Sequence, residues 1–263
     1  MTTTIAAGQP LTSGGVTESL EALGVDRATI WAVIGVETSG CGFLADRRPK
    51  ILYERHLFHR LTGGAFDDGD ISSAEPGGYG RGGAAQYDRL ARAIELDREA
   101  ALMSASWGLG QVLGANFSAS GFADVEEMVR QMAASEDRQL LAMSSFIVTN
   151  GMDGFLRRLD WTAFAKAYNG PAFKKNRYDD RLRAEHLKCT SGLVPDLDVR
   201  SVQLYLTYLG FHPGPVDGVA GALTRSAIRE FQRCDGLPLT GDVDATLIAR
   251  LTIALPPPST PMP

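Results

Sequence analysis

Nowhere does this sequence hold about 18 consecutive apolar residues, so no membrane-spanning helix is expected and membrane insertion is set aside. The opening residues, MTTTIAAGQPLTSGG, lack a basic segment followed by an apolar one, and no secretory signal is expected. Cysteine is scarce. Cys41, Cys189 and Cys234 are odd in number and widely spaced, which makes no disulfide framework, and no CxxC pair points to zinc. The four histidines show no HExxH-type spacing, so neither a metal nor any other cofactor is expected. Positive charge is in deficit, with 26 Lys and Arg against 31 Asp and Glu and a net charge of −5. That balance offers no basic surface for nucleic acid, which drops out as a partner. Strand-like alternation of any length is missing as well.

What is present is a chain of 263 residues, 44% hydrophobic and 22% charged, with enough apolar material for a real core. The opening residues are Thr-, Ala- and Gly-rich and expected to be loose. From Thr17 to Lys188 the pattern is mostly helical. A Gly-rich stretch, Gly63–Gly83, interrupts it, long enough to be either a functional loop or a solvated insertion. Helical periodicity returns over Ala84–Ser106, Val125–Asn150 and Asp160–Asn169. The fold class is mainly α, with room for a short hairpin near the Gly-rich loop. Residues 1–188 read as one large domain, 189–197 as a linker, 198–252 as a small unit, and 253–263 as a Pro-rich tail, extended or disordered. A monomer is expected.

In the small unit, Val199, Val202, Leu206 and Leu209 share one helix face, and Ala227, Ile228 and Phe231 share another. Gln203 and Gln232 follow apolar residues in the two helices, as VQ and then FQ. Gly210 stands at a helix end, and Asp217-Gly218 and Gly241-Asp242 are turn chemistry. The reading is three short helices on one small core. The pattern Val202-Gln203, Leu206, Leu209-Gly210, Asp217-Gly218, Gly221, Thr224, Phe231-Gln232, Gly236-Leu237 and Gly241 closely resembles the three-helix peptidoglycan-binding domain of cell-wall enzymes. That resemblance implies a wall ligand. The groove between the first two helices, with Asp217, Thr224 and Gln232 nearby, is the expected contact.

The stretch TIWAVIGVETSGCGF, Thr29–Phe43, ends a helix of apolar character on a carboxyl. With Asp26 as N-cap, the helix runs from Arg27 to about Glu37, and Trp31, Ala32, Gly35 and Val36 make its other sides apolar too. A helix apolar all round is buried. Apolar neighbours and the negative end of the helix dipole both disfavour ionised Glu37, raising its pKa. A carboxylic acid that keeps its proton near neutral pH suits protonation of a glycosidic leaving oxygen. A helix-terminal Glu that reaches water or an arginine reads the same from position alone. Pro49–Leu61, taken as a helix, puts Glu54 in the middle of a face with Ile51, Leu57, Phe58 and Leu61. A glutamate there is either ion-paired, with Arg47 or Arg48, or a second site carboxylate. Asp46 is a third candidate, in a loop where a surface role is equally in keeping.

Two later segments add small polar residues. Ser104–Val112 sets Ser106, Gly108, Gly110 and Gln111 beside Trp107, and Phe164–Pro171 ends a helix with Tyr168-Asn169-Gly170. In this order, Glu37-Thr38-Ser39, then Ser106 with Gly108-Leu109-Gly110-Gln111, then Ala167-Tyr168-Asn169 resemble the lysozyme-like fold of goose-type lysozymes and soluble lytic transglycosylases. RPKILYERHLF, SWGLGQVLGANF and DWTAFAKAYNGP are more closely similar to the N-acetylmuramidase family common in bacteriophage endolysins.

This resemblance implies a bacteriolytic glycoside hydrolase cleaving the β-1,4 bond between N-acetylmuramic acid and N-acetylglucosamine in peptidoglycan. Glu37 is then the general acid, and Glu54 or Asp46 the group that orients water or offsets positive charge. Ser39, Ser106, Gly108, Gly110, Gln111, Tyr168 and Asn169 are expected to hold substrate. Trp107 stacks on a sugar or fills the core, and Tyr168 is a candidate hydrogen-bond partner of Glu37. A lytic transglycosylase uses the same acid without water, and a non-catalytic wall-binding structural protein on the same fold is the third reading. The phage likeness implies a protein that waits in the host cytoplasm until a holin-type membrane pore releases it to the wall.

Overall fold

The computed structural model describes residues 6–38, 40–258 and 262. Its helices are α1 (Ser13–Leu23), α2 (Arg27–Thr38), α3 (Arg55–Leu61), α4 (Ala85–Leu96), α5 (Arg98–Met103), α6 (Val125–Ala134) and α7 (Glu136–Thr149). Then come α8 (Asp153–Arg157), α9 (Trp161–Asn169), α10 (Tyr178–Thr190), α11 (Leu197–Tyr208), α12 (Ala222–Cys234) and α13 (Ala245–Ala254). The expected mainly α class holds. Among the described residues no helix is long and apolar enough to cross a membrane.

The large unit is organised around α2. Ile30, Trp31, Ala32, Val33, Ile34 and Val36 are all buried, so this helix has no solvent face to spare. Asp26 caps it, its Oδ1 accepting the Thr29 N–H at 2.8 Å. α10 lies along it. Side chains of Thr12, Asp97, Asp124, Ser135 and Asp160 likewise cap α1, α5, α6, α7 and α9.

Three short strands correct the sequence reading. β1 (Ile51–Tyr53), β2 (Ala105–Trp107) and β3 (Val112–Leu113) form an antiparallel sheet in that order. Ile51 pairs with Trp107, Leu52 with Ser106, and Ser106 with Leu113. The helix expected over Pro49–Leu61 is therefore a strand followed by α3. Glu54 is the residue between them and sits on no apolar helix face. The hairpin falls at β2–β3, not beside the Gly-rich loop. The helix expected to run on to Ser106 is broken at Asp97, and the one from Val125 is broken at Ser135. Both residues are extended and cap the next helix.

The Gly-rich stretch is tied down. Asp68 and Asp70 pair with Arg92, and the Gln86 amide donates to the carbonyls of Tyr79 and Arg81, both at 2.6 Å.

The C-terminal unit is three helices on a core of Val202, Leu206, Ala227, Ile228, Phe231, Leu247 and Leu251, as expected. It is docked on the large unit. Cys41, Phe43, Leu204 and Val216 bury one another across the junction. Of the expected tail, residues 259–261 and 263 lie outside the described residues, and the described part is anchored. α13 continues to Ala254, the Pro256 carbonyl accepts from Arg47 Nη2 at 2.8 Å, and Met262 packs into the large core.

Candidate active site

Glu37 occupies the last turn of α2 and opens onto a cavity of about 370 Å³ lined also by Leu44, Lys50, Ile51, Leu52, Gly83 and Gln111. The residue as a whole is half-buried, but its Oε1 is shut off from solvent and takes no hydrogen bond from the described residues. Burial pushes its pKa from 4.5 up to about 8, against the opposing pull of Arg181 and a hydrogen bond with the Asn169 side chain. Arg181 Nη2 donates to the Val36 carbonyl at 2.9 Å. A cation there caps the negative end of α2 and stands beside the acid. No periodicity or motif distinguishes Arg181 from its neighbours Arg177 and Arg183, and sequence reasoning missed it. Lys50, Leu44 and Leu52 were missed as well.

The opposite wall is the sheet. Lys50, Ile51 and Leu52 line the cavity with Glu37, whereas Glu54, the residue between β1 and α3, is not among the lining residues. Gln111 closes this wall with a left-handed backbone, φ 47°. Its Nε2 donates to the Gly108 carbonyl at 2.8 Å and the Lys50 carbonyl at 3.3 Å. A non-glycine residue held in that conformation is costly unless its surroundings fix it.

The two glycines serve packing rather than ligand approach. A Cβ on Gly108 would stand 2.5 Å from Gln139 Cδ, and one on Gly110 2.7 Å from Met143 Cβ. Both glycines let the loop close on α7, where Gln139 Oε1 accepts the Leu109 N–H at 2.7 Å. Trp107 has no exposed surface, and its Nε1 donates to the Leu102 carbonyl at 3.1 Å, so it is core and stacks on no sugar. Ser106 is buried in the middle strand.

Tyr168 is half-buried, and Phe164 stacks on its ring with 5.3 Å between centroids. Its hydroxyl donates to the Gly110 carbonyl at 2.7 Å, not to Glu37. It lies near enough that a charged Glu37 disfavours ionised Tyr168. The acid's own partner is the next residue, Asn169. Ser39 lies outside the described residues.

The other two carboxylates have separate settings. Glu54 is half-buried, 3.4 Å from His56 Nδ1, and burial raises its pKa while His56 opposes the shift. Arg47 and Arg48, its expected partners, bond Pro256 and Asp46 instead. Asp46 accepts Arg48 Nη2 at 2.6 Å and lines a different depression, with Tyr208 and Pro256. The structure does not bring Asp46 into the Glu37 cavity.

In the C-terminal unit the expected contact residues serve the fold. Gln203 Nε2 donates to Asp217 Oδ1 at 3.0 Å and Thr224 Oγ1 at 3.1 Å, while its Oε1 accepts the N–H groups of Asp217 at 3.0 Å and Gly218 at 2.9 Å. Thr224 is buried. Gln232 repeats the device, accepting the Gly241 N–H at 3.0 Å and donating to Thr240 at 2.9 Å. It also lines a depression of about 210 Å³ at the junction of α12 and α13, away from the expected groove between the first two helices. Among the described residues no cluster of His, Cys, Asp and Glu is arranged to hold a metal ion.

Comparison with known proteins places this geometry. The N-acetylmuramidase family profile matches residues 26–190, and the putative peptidoglycan binding domain profile matches residues 195–251. A crystal structure of Burkholderia AP3 phage endolysin is similar at TM-score 0.65 and 37% identity, over 70% of this chain and 72% of that one. Localization factor PodJL of Caulobacter vibrioides is 47% identical over 51 residues, 19% of this chain. This chain spans only 5% of that protein's length.

Proposed function

Since this chain belongs to the N-acetylmuramidase family, we propose that it hydrolyses the β-1,4 bond between N-acetylmuramic acid and N-acetylglucosamine in peptidoglycan, with Glu37 as general acid. The observation that carries the reading is a half-buried carboxyl, with one oxygen shut off from solvent, on the wall of a cavity. With a pKa near 8, the carboxyl holds its proton at neutral pH. A glycosidic oxygen entering the cavity accepts that proton. As the bond breaks, positive charge develops on the N-acetylmuramic acid ring, and the N-acetylglucosamine departs with the protonated oxygen. Asn169 orients the carboxyl, and Arg181 stabilises the carboxylate left behind. Glu54, half-buried just past the end of β1 with its pKa raised by burial, is the second carboxylate and activates water or offsets the developing charge. Lys50, Leu52 and the Gln111 loop form the sugar-facing wall.

The C-terminal unit holds peptidoglycan, and the likeness to a phage endolysin supports action on the wall after release from a host cytoplasm. A lytic transglycosylase shares the acid but replaces water by the muramic 6-hydroxyl and needs no second carboxylate, so Glu54 favours hydrolysis. Mass spectrometry of products from purified peptidoglycan tests the proposal. Reducing ends, absent with Glu37→Gln, support it. Products one water lighter, carrying a 1,6-anhydro end, would replace hydrolysis by the transglycosylase reaction.

A further inference from the structure

We propose that the C-terminal unit is a fixed wall of the catalytic domain, and that Arg200 is a positioning residue for the loop that follows Glu37. The inference rests on the reading of Glu37 as the acid. Arg200 projects from α11 with only 1% of its side chain exposed, and its partner Glu136 is equally buried. Its Nη1 and Nη2 donate to Glu136 Oε2 and Oε1, both at 3.1 Å, and Nη2 also donates to the Gly40 carbonyl. The same carboxylate accepts the Gly42 N–H at 2.8 Å and the Leu11 N–H at 3.0 Å. One ion pair therefore holds residues 40 and 42, three and five positions after the acid, from both sides.

The packing around it is equally close. Gly40 has φ 95°, and a Cβ there would stand 2.5 Å from the Val216 carbonyl oxygen, so the loop touches the C-terminal unit backbone to backbone. Cys41 and Phe43 bury their side chains against Leu204 and Val216. The Arg200 guanidinium lies 5.5 Å from the ring of Trp31 on α2, the helix that carries Glu37. Farther along, the Tyr208 hydroxyl donates to the Gly8 carbonyl at 2.8 Å.

A freely tethered binding module gains only local concentration from its tether. Undocking this one would leave Glu136 without its cation and uncover the apolar side chains of the junction. A buried carboxylate stripped of its partner is strongly destabilising. Glu136 also opens α7, whose next turn carries Gln139, the acceptor for the Leu109 N–H in the opposite wall. Both loops beside the cavity thus hang on the start of α7, and Arg200 supplies its charge balance.

The test uses full-length protein. Soluble, uncross-linked glycan strands remove any need for wall binding. On them, Arg200→Met is expected to lower kcat at least tenfold with KM within twofold, and Arg200→Lys, which keeps the charge, to fall between Met and wild type. Wild-type kcat in folded Arg200→Met overturns the proposal. The second arm needs no activity. Ile228→Ala weakens the C-terminal core from inside, away from the junction. Hydrogen exchange at the Gly42 amide is then expected to accelerate by the same factor as in α12, within threefold. Unchanged protection at Gly42 while α12 loosens overturns the docking. If Arg200→Met does not fold, this arm alone decides. If wild type cleaves no glycan, the reading of Glu37 fails while the exchange result still decides the docking.

Discussion

In the C-terminal unit, the polar heads set into apolar helices are saturated: Gln203 spends both ends of its amide on Asp217, Gly218 and Thr224, and Gln232 does the same with Thr240 and Gly241. In the large unit, Glu37 also ends an apolar helix, yet its Oε1 has no described partner and the residue lines a cavity. Leaving a buried polar group unmade costs about 1–3 kcal/mol, and more when it is charged. Other buried polar atoms of the described residues also lack a partner, Asp179 Oδ1 and Arg200 Nε among them; what sets Glu37 apart is its place on the cavity wall.

The widest gap between the regions is expected from Glu37→Gln. It keeps the shape and removes the acid, so kcat should fall at least about a hundredfold. Stability should move the other way. The folded carboxyl binds its proton up to about pH 8, while the unfolded chain releases it near 4.5. Wild type therefore loses stability as pH rises from 4.5 through 8, and the Gln variant lacks that loss. Urea unfolding at pH 5 and pH 9 should show the variant gaining on wild type only at the higher value. Gln203→Ala should do the reverse. It strands the Asp217 and Gly218 N–H groups and costs about 3 kcal/mol of C-terminal stability by chemical denaturation. Trp107→Phe should cost about 1–2 kcal/mol through the Leu102 carbonyl it leaves unpaired, with KM within twofold. An effect on KM beyond tenfold would return Trp107 to the sugar site. Asp46→Ala is expected to be the mildest. It loses a half-buried pair with Arg48, costing about 1 kcal/mol, and steady-state activity stays within twofold.

The sequence made the buried α2, its Asp26 cap and the terminal Glu37 legible, because helical periodicity and capping are local signals. The small unit's core was legible for the same reason. Strands of two or three residues carry no measurable alternation, so β1 to β3 were not. Breaks at Asp97 and Ser135 depended on capping residues inside continuous apolar patterns. Trp107 and Tyr168 showed their residue types but not their partners, Leu102 and Gly110. The Arg200–Glu136 pair joins positions 64 apart, and nothing in either neighbourhood advertises the other. Burial alone turns that pair from two surface-type residues into the junction of two units.

The most direct test is the titration of the Glu37 side-chain carboxyl by carbon-13 NMR, with its signal assigned by difference from the Glu37→Gln protein. The account predicts a midpoint near 8; a midpoint at the ordinary 4.5 would contradict it.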